Sequence, residues 1–583
     1  MSNVADIVYD NAASRPDHVA IRRRTGDAWQ DVTARAFADE VSAAAKGLIA
    51  AGIQPGDRVA VMSKTRYEWT LFDFALLTVG AVVVPIYETS SAEQVEWILS
   101  DSGARGVVVE TAEHADIVES VRAQTPELAH VWQIDAGAVD ALVAGGAEVA
   151  DDDVTKRRQA VTLDDTASLI YTSGTTGRPK GCRLLHRSFV TECTELGVIL
   201  ESFFNQDTST LLFLPIAHVF GRVIEIGALY VGCTLGHTPD VKNLLEDLAE
   251  FKPTFVLAVP RVFEKVYNSA KQKAHASGKG KIFDRAESVA IAHSQATDKG
   301  SVPLMLKLQH ALFDKLVYSK LRAALGGNCI AAVSGGAPLG ERLGHFFRGI
   351  GVTIYEGYGL TETTAGICVN RPDAIRVGTV GQPVGDVTVH IADDGELLVR
   401  SPLVFAEYWK NEGATKEAID AEGWFHTGDI GEVDSDGYVK ITGRKKELIV
   451  TAGGKNVAPS VLEDRVRAHW LVSQCLVVGD QKPFIGALIT LDPEALPQWL
   501  SEHDKPADTP VADLVDDAAL RAEIQSAVDD ANKAVSKAES IRKFAILTED
   551  WTEAGGQLTP SLKLKRNVVH KECADQIAAL YTR

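Results

Sequence analysis

No two cysteines in this 583-residue chain have the Cys-x-x-Cys spacing of a metal or redox motif, and the cysteines number seven. Reduced thiols are the simplest explanation of an odd, unpaired set, which favours a cytosolic protein. The first residues, MSNVADIVYDNAASRPD, have neither the basic start nor the apolar core of a signal peptide. The sequence therefore predicts a cytoplasmic location.

Long apolar runs and an excess of positive charge are missing as well. The longest apolar run, Phe74 to Tyr87, falls short of the ~20 residues that a spanning helix requires, which leaves only loose membrane contact open. The 59 lysines and arginines are outnumbered by 79 aspartates and glutamates, for a net charge of -20. Because nucleic-acid binding needs a basic face, we expect no nucleic-acid partner.

The chain is too long for one hydrophobic core, and ~150 residues per domain predicts several folding units. Helical and strand patterns alternate in its first part, as in a helix at 37–51, a strand at 58–62 and a helix at 69–77. Such alternation predicts an α/β fold, in which parallel sheets are covered by helices on both faces. Ligands of such sheets bind beyond the carboxyl ends of the strands.

From about Gly378 the pattern changes to short strands, with hairpin signals at Asp394-Gly395 and Asp436-Gly437. This predicts a small antiparallel β-barrel or sheet at about 378–443. After it come the basic patch Arg444-Lys445-Lys446 and a compact α+β pattern. We therefore predict a large N-terminal domain over 1–443 and a smaller α+β C-terminal domain over 444–583. The polar segment 271–300 is predicted to be a mobile insertion, although 282–293 has a helical pattern.

A glycine-rich loop follows an apolar strand at 167–170. The loop YTSGTTGRPKG, Tyr171 to Gly181, combines three glycines and four aliphatic hydroxyls with Arg178 and Lys180. Glycines let backbone N–H groups approach phosphate oxygens, hydroxyls donate hydrogen bonds, and lysine supplies a point charge. It is not a Walker A sequence, because Pro179 precedes the lysine. The loop therefore predicts a phosphate site of another kind.

The loop resembles the phosphate loop of the adenylate-forming enzymes, the superfamily of acyl-CoA synthetases, luciferases and peptide-synthetase adenylation domains. The resemblance covers almost the whole chain. Its other motifs are, in chain order, PIAHVFG at 215–221, SGGAP at 334–338, YEGYGLTET at 355–363, GWFHTGDIG at 423–431, ITGRKKELI at 441–449 and LTPSLKLKRN at 558–567.

The resemblance implies roles for the nucleotide-binding residues. Tyr358 would stack on adenine, Thr361 would contact the α-phosphate, and Glu362 would coordinate Mg²⁺, which prefers one or two carboxylates with phosphate oxygens and waters. Asp429 would accept hydrogen bonds from the ribose hydroxyls, and Arg444 would add a contact to the same sugar. The residues assigned to ATP or AMP in this way are Thr172, Ser173, Gly174, Thr175, Thr176, Gly177, Lys180, Gly335, Gly336, Ala337, Gly357, Tyr358, Gly359, Thr361, Asp429 and Arg444.

Two further motifs supply candidate catalytic residues. His218 would position the acyl group; it is not expected to act as a base, because a carboxylate is already ionised at pH 7. The C-terminal lysine motif aligns its catalytic lysine with Lys563, while Lys565 is a competitor that the sequence does not exclude. The predicted catalytic set is Lys563, Glu362, Thr361, Lys180 and His218.

Members of the superfamily rotate the C-terminal domain between two half-reactions, and the hinge position is Lys446 here. After the rotation, the hairpin 447–455 would line the tunnel for the thiol. Its small residues, Ala452, Gly453 and Gly454, would let a pantetheine arm pass close to the backbone.

The implied activity is ATP-dependent formation of an acyl-adenylate, followed by transfer of the acyl group to coenzyme A. The segment GRKKELIVTAGGKNVAPSVLED at 443–464 resembles long-chain and bubblegum-type fatty acyl-CoA synthetases, so a long-chain fatty acid is the expected substrate. The acyl tunnel is expected among 216–226, 259–263 and 357–366. Two alternatives stay open: transfer to the phosphopantetheine of an acyl carrier protein, and an inactive nucleotide-binding scaffold. Arg183, where many relatives carry apolar residues, has no explanation from the sequence.

Overall fold

A computed structural model of the chain describes residues 2–26, 28–172, 178–239, 243–453, 455–559 and 563–582. Two large sheets with flanking helices and an antiparallel sheet precede Lys445, and a smaller α+β unit follows it. The predicted α/β class is confirmed. The predicted phosphate-loop residues Ser173 to Gly177 and the predicted tunnel residue Gly454 lie outside the described residues.

The strands before residue 260 are β1 (Val19–Thr25), β2 (Ala28–Thr33), β3 (Arg58–Met62), β4 (Val82–Ile86), β5 (Gly106–Val109), β6 (His130–Gln133), β7 (Thr166–Thr172), β8 (Lys180–Leu185), β9 (Ser209–Leu212), β10 (Thr234–His237) and β11 (Phe255–Ala258). The later strands are β12 (Ala331–Ser334), β13 (Thr353–Leu360), β14 (Ala365–Val369), β15 (Gln382–Pro383), β16 (Thr388–Ile391), β17 (Glu396–Arg400), β18 (Glu407–Tyr408), β19 (Phe425–Val433), β20 (Val439–Arg444), β21 (Ile449–Val450), β22 (Asn456–Val457), β23 (Val472–Val478), β24 (Ile485–Leu491) and β25 (Ile541–Ile546).

The helices before residue 260 are α1 (Asp6–Ser14), α2 (Ala34–Ala50), α3 (Tyr67–Thr78), α4 (Ala92–Ser102), α5 (Ala112–Ser120), α6 (Ala138–Gly145), α7 (Asp151–Ala160), α8 (His186–Ile199), α9 (Val219–Val231) and α10 (Leu244–Phe251). The later helices are α11 (Pro260–Ala276), α12 (Gly280–Asp298), α13 (Leu304–Phe313), α14 (Ser319–Ala324), α15 (Glu341–Gly349), α16 (Glu412–Ala418), α17 (Pro459–Arg467), α18 (Leu496–Glu502), α19 (Ala518–Asn532), α20 (Arg566–Glu572) and α21 (Ala574–Tyr581).

The first large sheet has the strand order β18-β8-β7-β4-β3-β5-β6, and its strands from β7 to β6 run parallel. Every residue of β4 and β5 is buried. A parallel sheet with helices on both faces needs such continuous apolar strands, which explains the valine-rich sequences of β4 and β5. The predicted strand at 58–62 is β3, residue for residue.

The second large sheet has the order β15-β14-β13-β12-β11-β9-β10-β1-β2, and it is parallel from β13 to β1. One hydrophobic core extends over residues of both sheets. Helix α9 is surrounded by this core on almost all sides, since ten of the 13 residues of the helix are buried. The carboxyl ends of β12 and β13 belong to the motifs SGGAP and YEGYGLTET.

The β-rich segment forms a four-stranded antiparallel sheet in the order β16-β17-β19-β20. Gly395 (φ 87°) lies in the turn between β16 and β17, and Gly437 (φ 82°) lies between β19 and β20. Both turns need a left-handed residue, which glycine adopts without steric cost. Both hairpin predictions are thus confirmed.

The chain after Glu447 has a hydrophobic core of its own, which includes Ile449, Trp499 and Ile546. It is built on a three-stranded sheet of β23, β24 and β25 and on the small hairpin of β21 and β22. The domain boundary near Gly443 stays a prediction, as do the mobility of this unit and its hinge.

The segment predicted as a mobile insertion contains the helix that its pattern suggested at 282–293. Helix α12 covers most of 271–300, and its residues Phe283, Ala286 and Ala290 are buried in the main core. The mobility of this segment stays a prediction. No helix in the described part of the chain is long and apolar enough to cross a membrane.

A buried ion pair joins α9 to both layers around it. The Arg222 guanidinium donates to both carboxylate oxygens of Asp73 in α3, and its Nη1 donates to Ser168 Oγ in β7 over 2.5 Å. All three side chains are fully buried. Glu225, one turn further along α9, is also buried, and burial and the nearby Asp73 raise its pKa well above the ordinary range. The hydrogen bonds of Arg222 thus connect α9 to both α3 and β7 in the core.

Removal of one partner of this ion pair tests how much the pair contributes to the stability of the fold. Asp73→Ala leaves a guanidinium buried without its counter-charge, and we expect the free energy of unfolding to fall by ~3–5 kcal/mol. The double variant Asp73→Leu/Arg222→Met should recover most of this loss, because an apolar pair needs no counter-charge. Urea unfolding of each variant measures both effects.

A matched control is Asp152→Ala, which breaks the 2.6 Å pair between Asp152 and Lys156 on the surface. Both of these side chains are about 70% exposed, so we expect little change in unfolding. If Asp73→Ala unfolded at the same urea concentration as Asp152→Ala, this would contradict a structural role of the buried pair.

Candidate active site

Most of the predicted site residues that the structure describes line one cavity of about 880 Å³. It opens where β7, β12 and β13 end, as expected for a ligand site of parallel sheets, and residues of the C-terminal unit form part of its wall. The predicted residues that line it are Thr172, Lys180, His218, Gly335, Gly336, Gly357, Tyr358, Gly359, Thr361, Glu362, Arg444, Lys446 and Lys563, with the competitor Lys565.

A hydrogen-bonded triad connects three predicted nucleotide residues. The Tyr358 hydroxyl donates to Asp429 Oδ2 over 2.5 Å, and Arg444 Nε donates to Asp429 Oδ1 over 2.8 Å. Burial and the neighbouring Asp429 raise the pKa of Tyr358 well above its usual range, so the phenol keeps its proton. Asp429 is 3% exposed and does not itself line the cavity, although its neighbour Gly428 and its partners Tyr358 and Arg444 do. Each of its oxygens has a second lone pair besides the one that accepts from Tyr358 or Arg444.

The turn after β13 explains why its motif needs glycine. A Cβ on Gly359 would lie 1.3 Å from the Ala365 carbonyl oxygen, so no other residue fits there. The chain then forms a short 3-10 turn over Thr361–Thr363 and continues with Thr364 and Ala365 at φ 54° and 83°. Positive φ at two successive non-glycine residues is strained backbone, of the kind found at ligand sites.

Glu362 lies in that turn beside a tyrosine that the sequence motifs did not single out. The Tyr408 hydroxyl donates to Glu362 Oε1 over 2.8 Å, and Lys180 Nζ lies 4.4 Å from the centre of the Tyr408 ring. Among the described residues, no group of three or more His, Cys, Asp or Glu side chains could hold a metal. A single carboxylate fits Mg²⁺ only if phosphate oxygens and waters supply the other ligands.

The motif after β12 forms a backbone wall of the cavity. Gly336 has φ 81°, and a Cβ on Gly335 would lie 3.1 Å from Phe220. Ala337, the third residue predicted here, is exposed and does not line the cavity. The structure therefore brings the two glycines to the site but leaves the alanine beside it.

His218 is the N-cap of α9 and faces the cavity. Its Nδ1 accepts a hydrogen bond from the Phe220 backbone N–H over 3.1 Å, which places the ring proton on Nε2. Burial and the positive charge of Lys563 lower its pKa to about 3. A neutral histidine with a free Nε2–H is a hydrogen-bond donor, and it suits the positioning of a carboxylate.

The geometry separates the two competing lysines. Lys563 is an exposed residue of the cavity wall, and its Nζ would lie 3.9 Å from a Cβ on Gly336. Protein atoms still crowd its amine closely enough to lower its pKa, first by desolvation and then through the Arg444 charge. Lys565, the N-cap residue of α20, also lines the cavity. The contacts with Gly336 and Arg444, however, belong to Lys563 and not to Lys565. The arrangement favours Lys563 as the lysine at the nucleotide cluster.

Part of the cavity lining is apolar, and we call this part the apolar branch. It includes Val219, Phe220, Val223 and Ile224 of α9, within the segment where the acyl tunnel was expected, and the expected segment 357–366 also lines the cavity. The third expected segment, 259–263, does not line the cavity in the described part of the chain.

Residues of α8 and its C-cap also line the cavity, and this contribution was not predicted. Glu192, Leu196 and Leu200 line it at four-residue spacing, which puts them on one helix face. Glu192 Oε1 accepts from the Gly366 backbone N–H over 2.7 Å, while Oε2 is buried with no partner in the described structure. Burial raises the pKa of Glu192 well above the ordinary range. The spacing alone could not reveal this contribution, because it is typical of any amphipathic helix.

The predicted hinge residue lies at the cavity, whereas the two described tunnel residues do not. Lys446 is exposed at its rim, in a short 3-10 turn between β20 and β21. Ala452 and Gly453 lie in the exposed turn after β21 and do not line the cavity in this arrangement. Their proposed role requires rotation of the C-terminal unit and stays a prediction.

Arg183, which the sequence left unexplained, has a structural role away from the cavity. Its Nε donates to Thr166 Oγ1 over 2.8 Å, and its Nη1 donates to Glu407 Oε1 over 3.0 Å. These bonds connect β7, β8 and β18 at the edge of the first large sheet.

Comparisons with known proteins agree with this geometry. A family model described as AMP-binding enzyme matches residues 8–409, and one described as AMP-binding enzyme C-terminal domain matches residues 446–583. The long-chain fatty acid–CoA ligase FadD15 of Mycobacterium tuberculosis is 54% identical, over 100% of this chain and 97% of that protein. The long-chain fatty acid–CoA ligase ACSBG2 of Xenopus laevis is 32% identical, over 97% of this chain and 82% of its own length. The crystal structure of the anthranilate CoA ligase AuaEII with anthranoyl-AMP superposes with a TM-score of 0.73 at 24% identity, over 99% of this chain and 98% of that one, which shows a shared fold.

Proposed function

The chain belongs to the AMP-binding enzyme family, and we infer from this that it is a long-chain fatty acid–CoA ligase of the AMP-forming type. The observation that carries the inference is one cavity whose lining includes the predicted nucleotide residues, His218 and the apolar side chains of α8 and α9. A fatty acid in the branch would present its carboxylate to the α-phosphate of ATP. The products would be acyl-CoA, AMP and pyrophosphate.

The main barrier to the first step is electrostatic, because a carboxylate anion must approach a polyanion. Lys180 and Lys563 would reduce the repulsion, and His218 would orient the carboxylate by donation from Nε2. Thr361 and the loop Thr172 to Gly177 would place the phosphates. Glu362 would hold Mg²⁺, which supplies charge neutralisation when bound. The protein provides position and charge rather than a covalent nucleophile.

The remaining nucleotide residues would bind the AMP half of ATP. Asp429 would exchange its hydrogen bond from Tyr358 for bonds from the ribose hydroxyls, with Arg444 held against the same carboxylate. The freed Tyr358 ring would stack on adenine, and the backbone of Gly335 and Gly336 would border it.

Coenzyme A is the proposed acceptor in the second step, and the phosphopantetheine of an acyl carrier protein is the alternative. Rotation about Lys446 would withdraw Lys563 and bring Ala452 to Gly454 towards the acyl-adenylate. A cytoplasmic location, with loose contact to a membrane, completes the proposal.

Release of pyrophosphate from ATP across a panel of carboxylic acids, with and without coenzyme A, tests the function. We expect release with long-chain acids and a CoA thioester product. Thioester formation only with an acyl carrier protein would favour the alternative acceptor, and no release with any acid would refute the inferred activity.

Lys563→Ala tests the assignment of the two lysines. The variant should lose acyl-adenylate formation, because a positive charge beside the phosphates disappears, yet it should still convert supplied acyl-AMP to acyl-CoA. Single-turnover assays of the two half-reactions measure this split.

Lys565→Ala is the matched control and should retain the first half-reaction. Equal loss of both half-reactions in Lys563→Ala would contradict the assignment, and so would a selective loss of adenylation in Lys565→Ala.

Glu192 is predicted to limit the length of the acyl branch. Glu192→Ala removes a carboxyl group from the wall, and each further buried methylene of a substrate is worth ~0.8 kcal/mol, or about fourfold in kcat/KM. We expect the preferred acid to become longer by about two methylenes. The ratio of kcat/KM between acids, taken within one variant, measures this independently of stability.

Glu192→Gln is the matched control, because it preserves the volume and the acceptor for the Gly366 N–H. It should leave the chain-length profile unchanged. An unchanged profile in Glu192→Ala would show that the wall lies elsewhere.

A further inference from the structure

Helix α13 exposes a row of large apolar side chains. Leu304, Met305, Leu308 and Leu312 are 74%, 66%, 59% and 56% exposed, and Leu316 in the π-helical turn that follows is 48% exposed. Single exposed apolar residues are common on protein surfaces, but a contiguous row of this kind marks an interaction surface. We call these five residues the α13 stripe.

The stripe has a fixed orientation. Leu304, Leu308, Leu312 and Leu316 are spaced four residues apart and therefore share one helix face. The other face packs inward: Phe313 and Val317 contact the main core, and His310 Nε2 bonds to the Gly349 carbonyl oxygen over 2.6 Å. The stripe thus faces outward because the opposite side of the helix is already packed.

The chain segment that carries the stripe is rich in basic residues. Residues 299–322 contain five basic side chains, Lys299, Lys307, Lys315, Lys320 and Arg322, and one acidic side chain, so the segment has a charge of +4 in a chain of net charge -20. The acidic residue, Asp314, is already paired with Arg322 over 2.7 Å.

The four lysines are exposed, and none of them pairs with a carboxylate in the described part of the chain. Their charge is therefore available to an anionic partner.

We propose that the α13 stripe and its lysines dock this protein on a bilayer that carries anionic headgroups. Leucine and methionine would enter the boundary between headgroups and acyl chains, while the lysines would contact the phosphates from the sides of the helix. A second copy of the chain fits less well, because a two-fold contact would bring the same positive patch against itself. This surface is separate from the proposed catalytic residues.

Sedimentation with phosphatidylglycerol-containing vesicles tests the proposal on the full chain. The wild-type protein should sediment with these vesicles, less so at high salt, and hardly at all with phosphatidylcholine vesicles. Leu308→Glu/Leu312→Glu should bind at least about tenfold more weakly, because it puts two charges into the apolar row. Lys307→Glu/Lys315→Glu should remove the preference for anionic vesicles.

The matched control is Val143→Glu/Val198→Glu, which adds the same charges at two exposed valines outside α13. It should bind vesicles much like the wild type, and equal thermal unfolding would show that both double variants are folded. Adenylation of a water-soluble acid without vesicles separates this proposal from the enzymatic one, since the stripe variant should retain it.

Failure of the wild-type protein to sediment would overturn the proposal, and so would equal binding by the stripe variant and the control. A third outcome would also overturn it: a dimer in solution that Leu308→Glu/Leu312→Glu dissociates, without any vesicle binding. The stripe would then be a contact between two copies of the chain.

Discussion

The contact between Arg222, Asp73 and Ser168 holds helix α9 in place relative to α3 and β7, and the candidate site depends on this placement. It binds one side of α9 to α3 and to β7, while the other side of the same helix walls the apolar branch. His218 caps the start of α9, and β7 ends at Thr172 next to the predicted phosphate loop. A shift of this helix would therefore move the acyl pocket relative to the phosphate site. A buried charge pair resists such shifts, because neither charge can be left alone in the core.

The cavity must attract a polyanion although the protein has a net charge of -20. Two carboxylates that the proposed chemistry needs, Asp429 and Glu362, each accept a hydrogen bond from a tyrosine, Tyr358 and Tyr408 respectively. A neutral phenol can fix the direction of a carboxylate without cancelling its charge, so the oxygens stay available to a sugar or a cation. Arginine and lysine side chains supply the positive potential around them. The site is thus prepared for ATP by short local contacts rather than by the net charge of the molecule.

The features that the sequence predicted correctly are those that depend on residues close together in the chain. Strand β3 and the turns at Gly395 and Gly437 followed from apolar runs and turn residues, and the order of the motifs predicted which segments would meet at the cavity. Tyr408 and Glu192 could not be found in this way, because their roles arise from contacts between distant segments. The helical pattern at 282–293 was local as well, and α12 confirms it.

The contacts of the C-terminal unit support the idea that it rotates. It has a hydrophobic core separate from the main one, and its ion pairs with the large region include Arg261–Asp492 at 3.4 Å and Lys265–Glu494 at 3.0 Å. The second pair is largely exposed, so water can replace it at little cost. Lys563, in contrast, lies close enough to His218 that its positive charge helps to lower the pKa of that histidine. The proposed rotation would therefore withdraw Lys563 from the cavity and leave both hydrophobic cores intact.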